Sequence, residues 1–305
     1  MIYTCTLNPA VDYKFNLENV NIGKLNRVEN ANFFAGGKGI NVSIVLKNLG
    51  TDSIATGFLG GFTGDFIKST LKNRNIKYEF IDIELPSRFN VKIKHPHMET
   101  EINADGPHIS NSKMSELLIF IQEMKKDDLL ITGGSTCKGQ PEAHGVIAQI
   151  CHEHGIPFVM DTPGKYYSQF LKYKPFLVKP NIQELGDYYG TKITKVEQAI
   201  FYGKKLLEEG AERVIISMGK NGSIYLDQYY IYRSNLIHSK VTSSVGSGDS
   251  MVAGFISSYL SDKDTQKAYQ FAVAVAQATT FHEGLATYET TMKYYYDVNV
   301  KEISK

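Results

Sequence analysis

A chain of 305 residues with 33 basic and 32 acidic side chains gives no whole-protein electrostatic reason to expect a nucleic acid or an anionic membrane as partner. Cys5, Cys137 and Cys151 are scattered, with no Cys-x-x-Cys, so neither a disulfide frame nor a cysteine zinc site is indicated. No apolar run approaches the ~20 residues that span a bilayer and the N-terminus carries no charged leader; we expect a soluble cytoplasmic protein, a single domain of residues 1–305 with an appendage.

Residues 2–7 read as a first strand. The turn Asn8-Pro9-Ala10-Val11-Asp12 brings Asp12 to its C-terminal end, the edge where parallel α/β folds bind ligands. Asp12 either accepts from sugar hydroxyls or satisfies the turn. Residues 13–34, which include Lys24 and Arg27, are patchily apolar and suit short exposed strands. Ala35-Gly36-Gly37-Lys38-Gly39-Ile40-Asn41-Val42 then opens a helix closed by Gly50. Three glycines around a lysine at a helix start form an anion cradle or, on equal terms, a structural turn. The spacing is neither a P-loop nor the dinucleotide fingerprint, which sets a nicotinamide enzyme aside.

Residues 53–58 form a second strand, followed by a helix to about residue 73. Alternation at 89–94 and 100–103 around His95-Pro96-His97-Met98 reads as an exposed hairpin. With residues 13–34 it makes a small antiparallel lid, about 12–34 and 88–104. Beyond residue 112 the order is helix to 124, strand 129–132, helix 142–154 and strand 157–160, ending in Asp161-Thr162-Pro163-Gly164. That alternation calls for a mostly parallel sheet with helices on both faces, a three-layer α/β/α fold. Cys151, His152 and His154 close a helix where histidine is favoured anyway, so we read no metal site there.

Residues 176–185 are a short strand and a helix start with Asn181 and Glu184 on one face of its first turn. The pair is a cap with a first-turn acid, or it positions Mg²⁺-bound water near nucleotide phosphates. Strand 213–217 runs into Ser217-Met218-Gly219-Lys220-Asn221-Gly222, a loop against which a nucleotide could lie. Two strands follow within 224–232. Met251, Val252, Phe255, Ile256, Tyr259 and Leu260 then mark an amphipathic helix to about residue 260, which starts at Gly246-Ser247-Gly248-Asp249. Its free first-turn amides and positive dipole end suit an anion. An acid beside an anion site repels the ligand unless it has a task, such as taking a proton from an attacking hydroxyl; the alternative is a Ser/Asp helix cap. Residues 267–281 form an alanine-rich helix, and 291–305 read as surface helix.

Gly36-Gly37-Lys38-Gly39-x-Asn41, Lys179-Pro180-Asn181-x-x-Glu184 and Gly246-Ser247-Gly248-Asp249, in that order over nearly the whole chain, resemble the PfkB, or ribokinase-like, family of carbohydrate kinases. Thr6-Leu7-Asn8-Pro9-x-x-Asp12, Arg88-Phe89-Asn90-Val91-Lys92 and Thr100-Glu101-Ile102-Asn103-x-x-Gly106-Pro107 are similar to its sugar-phosphate branch. The resemblance implies ATP with Mg²⁺ as phosphoryl donor. It implies a ketohexose phosphate as acceptor, fructose 1-phosphate first and tagatose 6-phosphate as the alternative. A non-catalytic sugar-phosphate sensor on the same scaffold is the alternative of another class, against which the intact Asp249, Lys38 and Glu184 argue.

By resemblance, Asp249 deprotonates the acceptor while the amides of Gly246, Ser247 and Gly248 stabilise the transferred phosphoryl group. Asp12, Gly37 and Asn41 grip the sugar; Lys38 and Arg88, with Lys24, Arg27 and Lys138, face the phosphate it already carries. Lys179, Asn181, Ser217, Gly219 and Gly222 line the nucleotide, and Glu184 with Asn181 serves the metal through water. A homodimer through the lid is also implied. The chain departs from the family pattern at Ser247, where alanine is usual, and at Gly133-Gly134-Ser135-Thr136-Cys137, where Ser-Gly-Ser-Leu-Pro is common.

Overall fold

The computed structural model describes residues 1–95, 98–235, 237 and 239–303. In chain order, β1 (Ile2–Thr6) runs into β2 (Ala10–Asn16), and β3 (Asn32–Gly36) leads to α1 (Lys38–Asn48). β4 (Ile54–Gly60) is followed at once by α2 (Gly61–Asn73), then by β5 (Lys77–Ile83), β6 (Arg88–Lys94) and β7 (Glu99–Asn103). α3 (Asn111–Gln122) begins where the Ser110 hydroxyl accepts from the Lys113 amide at 3.2 Å, satisfying one orphan donor of the first turn. Next come β8 (Leu129–Gly133), α4 (Ala143–His154), β9 (Phe158–Asp161), the short α5 (Tyr167–Phe170), β10 (Leu177–Val178), α6 (Ile182–Tyr189) and α7 (Val196–Glu208). The remainder is β11 (Arg213–Ser217), β12 (Ser223–Asp227), β13 (Ile231–Ser234), α8 (Ser247–Asp262), α9 (Thr265–Phe281), α10 (Tyr288–Tyr295) and β14 (Val300–Glu302).

The main sheet is ordered β14-β13-β12-β11-β10-β9-β8-β1-β4-β5. Pairings are parallel from β11 through β5 and antiparallel from β11 out to β14. Successive residues of its strands feed two separate cores. Leu130, Phe158, Val178 and Val214 pack with Leu117, Ile147, Leu185 and Leu206 of α3, α4, α6 and α7. Ile131, Val159, Leu177 and Ile215 pack with Val45, Phe255 and Ala272 of α1, α8 and α9. The side-chain period of 2 thus fills both faces, as a parallel sheet requires, and the three-layer α/β/α expectation holds.

The lid is a four-stranded sheet ordered β3-β2-β6-β7. Its outer pairings are antiparallel, but the central one, β2 with β6, is parallel. The reason is topological: β2 continues from β1 and β6 from β5, and these lie parallel in the main sheet. Pro96 and His97 of the expected hairpin loop fall outside the described residues.

β5, α5 and α7 go beyond the sequence reading. The expected surface helix at 291–305 divides differently: α10 starts at Tyr288 and β14 pairs with β13, Lys301 opposite Arg233. A three-residue strand is too short to show a period. Ser304 and Lys305 are not among the described residues.

Candidate active site

α8 opens at Gly246, whose φ of 78° is left-handed, a conformation without steric penalty for glycine alone. No side chain caps this helix. The Ser247 amide donates to the Ser244 carbonyl at 3.3 Å, whereas those of Gly246, Gly248 and Asp249 have no acceptor among the described residues. Of the expected cradle only the Ser247 amide is thus taken up within the turn. The Ser247 hydroxyl donates to the Ala276 carbonyl at 3.2 Å and accepts from Thr280 at 3.1 Å, so it ties α8 to α9. A Cβ at Gly248 would sit 3.0 Å from Lys179 Nζ, so a side chain there would press on that ammonium.

Beside this turn four charged side chains interlock. Lys38 Nζ lies 2.9 Å from Asp161 Oδ2 and 3.5 Å from Asp249 Oδ1, and Lys179 Nζ lies 3.4 Å from Asp161 Oδ1. Asn41 Nδ2 donates to Asp249 Oδ2 at 2.7 Å. Asp161 and Lys179 are each 3% exposed and Asp249 is 6% exposed, so every charge has to be paired. Burial works against the Lys38 charge, but Asp161 and then Asp249 outweigh it and hold that ammonium above the ordinary lysine pKa. Burial likewise pushes Asp161 up, and Lys179 and Lys38 pull it below the usual carboxylate range.

The first turn of α1 carries the chain from this cluster to the lid. Gly37 has φ 129°, and an added Cβ would meet Thr6 Cγ2 at 2.6 Å, so the turn packs directly on the end of β1. One residue earlier, the Gly36 backbone abuts the Asp12 carboxylate. Asp12 is held from β6: Asn90 Nδ2 donates to its Oδ1 at 2.9 Å, and Lys92 Nζ lies 3.0 Å from its Oδ2. Arg88 donates from Nε to the Asn8 carbonyl at 3.1 Å and from Nη1 to the Ala104 carbonyl at 3.2 Å. Burial draws its pKa down, opposed by Asp12 and Asp105. Asp12 and Asp249 thus stand on two sides of one glycine turn.

On the other flank, Asn181 and Glu184 form the reciprocal cap of α6. The Asn181 amide donates to Glu184 Oε2 at 2.9 Å, and the Glu184 amide donates to Asn181 Oδ1 at 2.8 Å. Burial and then the Asp161 charge raise the pKa of Glu184. A cation bound there would favour the charged carboxylate that burial disfavours, although no cluster of three or more ligating side chains exists among the described residues. The Ser217 amide donates to the Pro180 carbonyl at 3.0 Å, which places the Ser217–Gly222 loop next to Asn181. Gly219 and Gly222 both have positive φ within it. A cavity of about 610 Å³ beyond this loop is lined by Asn221, Arg233, Asn235 and Lys301 among others. None of the charge cluster borders it; it meets the Ser217–Gly222 loop only at Asn221.

The structure therefore brings Asp12, Gly37, Lys38, Asn41, Arg88, Lys179, Asn181, Glu184, Gly248 and Asp249 along one edge of the sheet. It does not bring in Lys24, Arg27 or Lys138, which are exposed and make no side-chain contact with these residues. The segment between β2 and β3 that carries Lys24 and Arg27 runs over the surface, and Lys138 follows the buried Cys137 out of the core. Asp161, Asn90 and Lys92 were missed. Asp161 had a signal, an acid at the end of a predicted parallel strand. Arg88, Asn90 and Lys92 had another, three polar residues at spacing 2 on one strand face.

Compared with known proteins, residues 6–292 match the model of the pfkB family of carbohydrate kinases. The 1-phosphofructokinase of Bacillus subtilis (strain 168) is 40% identical over 304 residues, which are 99% of this chain and 100% of that protein. The D-tagatose-1-phosphate kinase of Bacillus licheniformis is 36% identical over 287 residues, 93% and 94% of the two chains. The solved structure of phosphofructokinase-2 from Escherichia coli in complex with potassium superposes with a TM-score of 0.91 at 25% identity, over 97% of this chain and 98% of that one.

Proposed function

The chain belongs to the pfkB family of carbohydrate kinases, and from that premise we propose that it transfers the γ-phosphoryl group of ATP to fructose 1-phosphate, giving fructose 1,6-bisphosphate and ADP. The observation that carries this reading is Asp249, almost fully buried, at the first turn of an uncapped helix whose Gly248 and Asp249 amides are free. Anion donors and a base within one turn suit phosphoryl transfer to a hydroxyl and serve no evident purpose in a plain helix cap.

In the proposed reaction the acceptor hydroxyl loses its proton to the Asp249 carboxylate. Its oxygen bonds the γ-phosphorus as the bond to the ADP oxygen breaks. The amides of Gly248 and Asp249 stabilise charge on the transferred group. Lys38 and Lys179 offset the repulsion between two polyanions, roughly 4 kcal/mol for like unit charges 4 Å apart at an effective dielectric near 20. Asp12, held by Asn90 and Lys92, grips the sugar, and Arg88 serves the acceptor phosphate. Asn41 bonds Asp249, so we assign it to orienting the base as well as to the sugar. Ser217, Gly219 and Gly222 carry the nucleotide. Mg²⁺ fits at Glu184, where its charge would neutralise phosphate oxygens, with Glu184 reached through water. Lys24, Arg27 and Lys138 reach the substrate only if the lid and the loop after β8 close on it.

A relative named for D-tagatose 1-phosphate makes that sugar, in place of tagatose 6-phosphate, the second acceptor we propose. The outer lid, with Phe33 53% and Phe34 51% exposed, is the surface we propose for a homodimer. No helix among the described residues is long and apolar enough to cross a membrane, and we propose the cytoplasm as its place of work. A coupled ADP-release assay across fructose 1-phosphate, fructose 6-phosphate and D-tagatose 1-phosphate tests the reading. The highest kcat/KM is expected for fructose 1-phosphate; binding of that sugar without turnover, under Mg²⁺ and ATP, would instead make the protein a sensor.

A further inference from the structure

We infer that Asp161 is the positioning residue of the phosphoryl-transfer site: it anchors Lys38 and Lys179, one on the sugar side and one on the nucleotide side, at a fixed separation. The inference rests on the kinase reading and adds to it a residue that the three glycine and lysine motifs do not contain.

The geometry is that of a two-armed clamp. Asp161 is the last residue of β9, a strand paired on both sides by β8 and β10, so its backbone cannot shift without disturbing the sheet. Its two carboxylate oxygens are divided: Oδ2 faces Lys38 Nζ at 2.9 Å and Oδ1 faces Lys179 Nζ at 3.4 Å. Lys38 comes from the first turn of α1 and Lys179 directly follows β10, elements far apart in sequence, and among the described hydrogen bonds and ion pairs no other side chain bridges the two lysines. Lys179 in turn rests against Gly248, 3.0 Å from where a Cβ would stand, and Lys38 lies 3.5 Å from Asp249.

Without Asp161, two like charges would share a buried site with Asp249 as their neighbouring acid. They would repel each other, and long lysine side chains would lose their single geometry. With it, the cations stand ready before substrate arrives, which is the condition under which fixed charges lower a barrier instead of reorganising during it. Glu184 senses the same carboxylate, since the Asp161 charge contributes to its raised pKa; neutralising Asp161 reaches three neighbours at once.

Asp161→Asn keeps the shape and removes the charge. In steady-state kinetics it should lower kcat/KM for both ATP and the sugar phosphate by about 100-fold, the range seen when one preorganised group is lost. The alkaline limb of the pH profile should move to lower pH, because Lys38 stays buried but loses the first of the acids that hold its proton. Asp161→Glu, which restores the charge, should recover at least a tenth of the lost activity. In a cycle with Lys179→Met the two losses should fall short of multiplying by at least tenfold, since both act through one ammonium.

Calorimetric binding of a non-hydrolysable ATP analogue gives a readout independent of turnover, expected to weaken at least tenfold in Asp161→Asn. If that variant does not fold by circular dichroism, Asp161→Ser, which also removes the charge, is taken through the cycle with Lys179→Met and read by the same criterion. Losses that multiply fully, with an unmoved alkaline limb, would overturn the inference. A defect confined to a raised Mg²⁺ requirement would overturn it too, making Asp161 a metal ligand instead. A wild-type protein with no turnover on any acceptor would sink the kinase reading, while the analogue-binding result would still decide the clamp.

Discussion

The charge cluster at the start of α8 and the polar face of the lid both hold an acid between nitrogen donors, yet they are built differently. Around Asp249, four charged groups come from α1, β9, the end of β10 and α8, and most of them are buried. Around Asp12, the partners Asn90 and Lys92 come from one neighbouring strand, and the lid's aromatics Phe33 and Phe34 stand half in solvent. Buried paired charges are costly to disturb because each loss strands a partner. The Asp12 pairings are also largely buried, but they lie within one four-stranded sheet, so fewer separate elements depend on them. On the proposed reading the contrast divides the labour: the first region fixes where the phosphoryl group passes, and the second holds the sugar that receives it.

The hardest blow to that contrast should come from Lys38→Met, which removes the ammonium that Asp161 and Asp249 share. We expect kcat/KM to fall by about 10²–10³-fold; a loss under tenfold would show that the cluster is not preorganised.

A pH experiment probes the same rigid side. His144 is fully buried beneath the Gly133-Gly134 turn, its Nε2 3.0 Å from the Gly134 carbonyl, and burial lowers its pKa to about 4 from 6.5. The unfolded chain therefore binds more protons between those values. Stability from this residue is present above pH 6.5 and is lost as pH falls toward 4, by about 3 kcal/mol in all at ~1.4 kcal/mol per pH unit. Urea unfolding at stepped pH checks it. His144→Gln should flatten that part of the profile, and an unchanged slope would remove His144 as its source.

On the lid side, Lys92→Met should raise KM for the sugar phosphate about tenfold, with kcat within a few-fold, because Asp12 loses its ion pair and not its backbone. An equal loss in kcat would mean the lid is part of the rigid machinery after all. The smallest effect is expected for Phe34→Asp. Unfolding free energy should change by no more than about 0.5 kcal/mol, while sedimentation should shift from dimer to monomer; an unchanged dimer would place the interface elsewhere.

The rigid side was also the more legible in sequence. Glycines, a lysine and an acid at helix starts follow from local backbone chemistry, and each of Gly37, Lys38, Glu184, Gly248 and Asp249 stands on the predicted turn. Partners were another matter. That Asn41 bonds Asp249, and that Asp161 reaches Lys38, depends on residues more than a hundred positions apart, which no local pattern encodes. In the lid, the alternation of β6 was visible, but its parallel pairing with β2 follows from how β1 and β5 are placed in the main sheet. Lys24, Arg27 and Lys138 were named through family resemblance, and nothing in their own surroundings fixes them near the substrate.

The central claim is that Asp249 acts as the base, and Asp249→Asn measured beside the wild type tests it most directly. The account predicts kcat reduced by ~10²–10⁴-fold, with binding of a non-hydrolysable ATP analogue and of fructose 1-phosphate changed by less than about threefold. Near-normal turnover in that variant would contradict it.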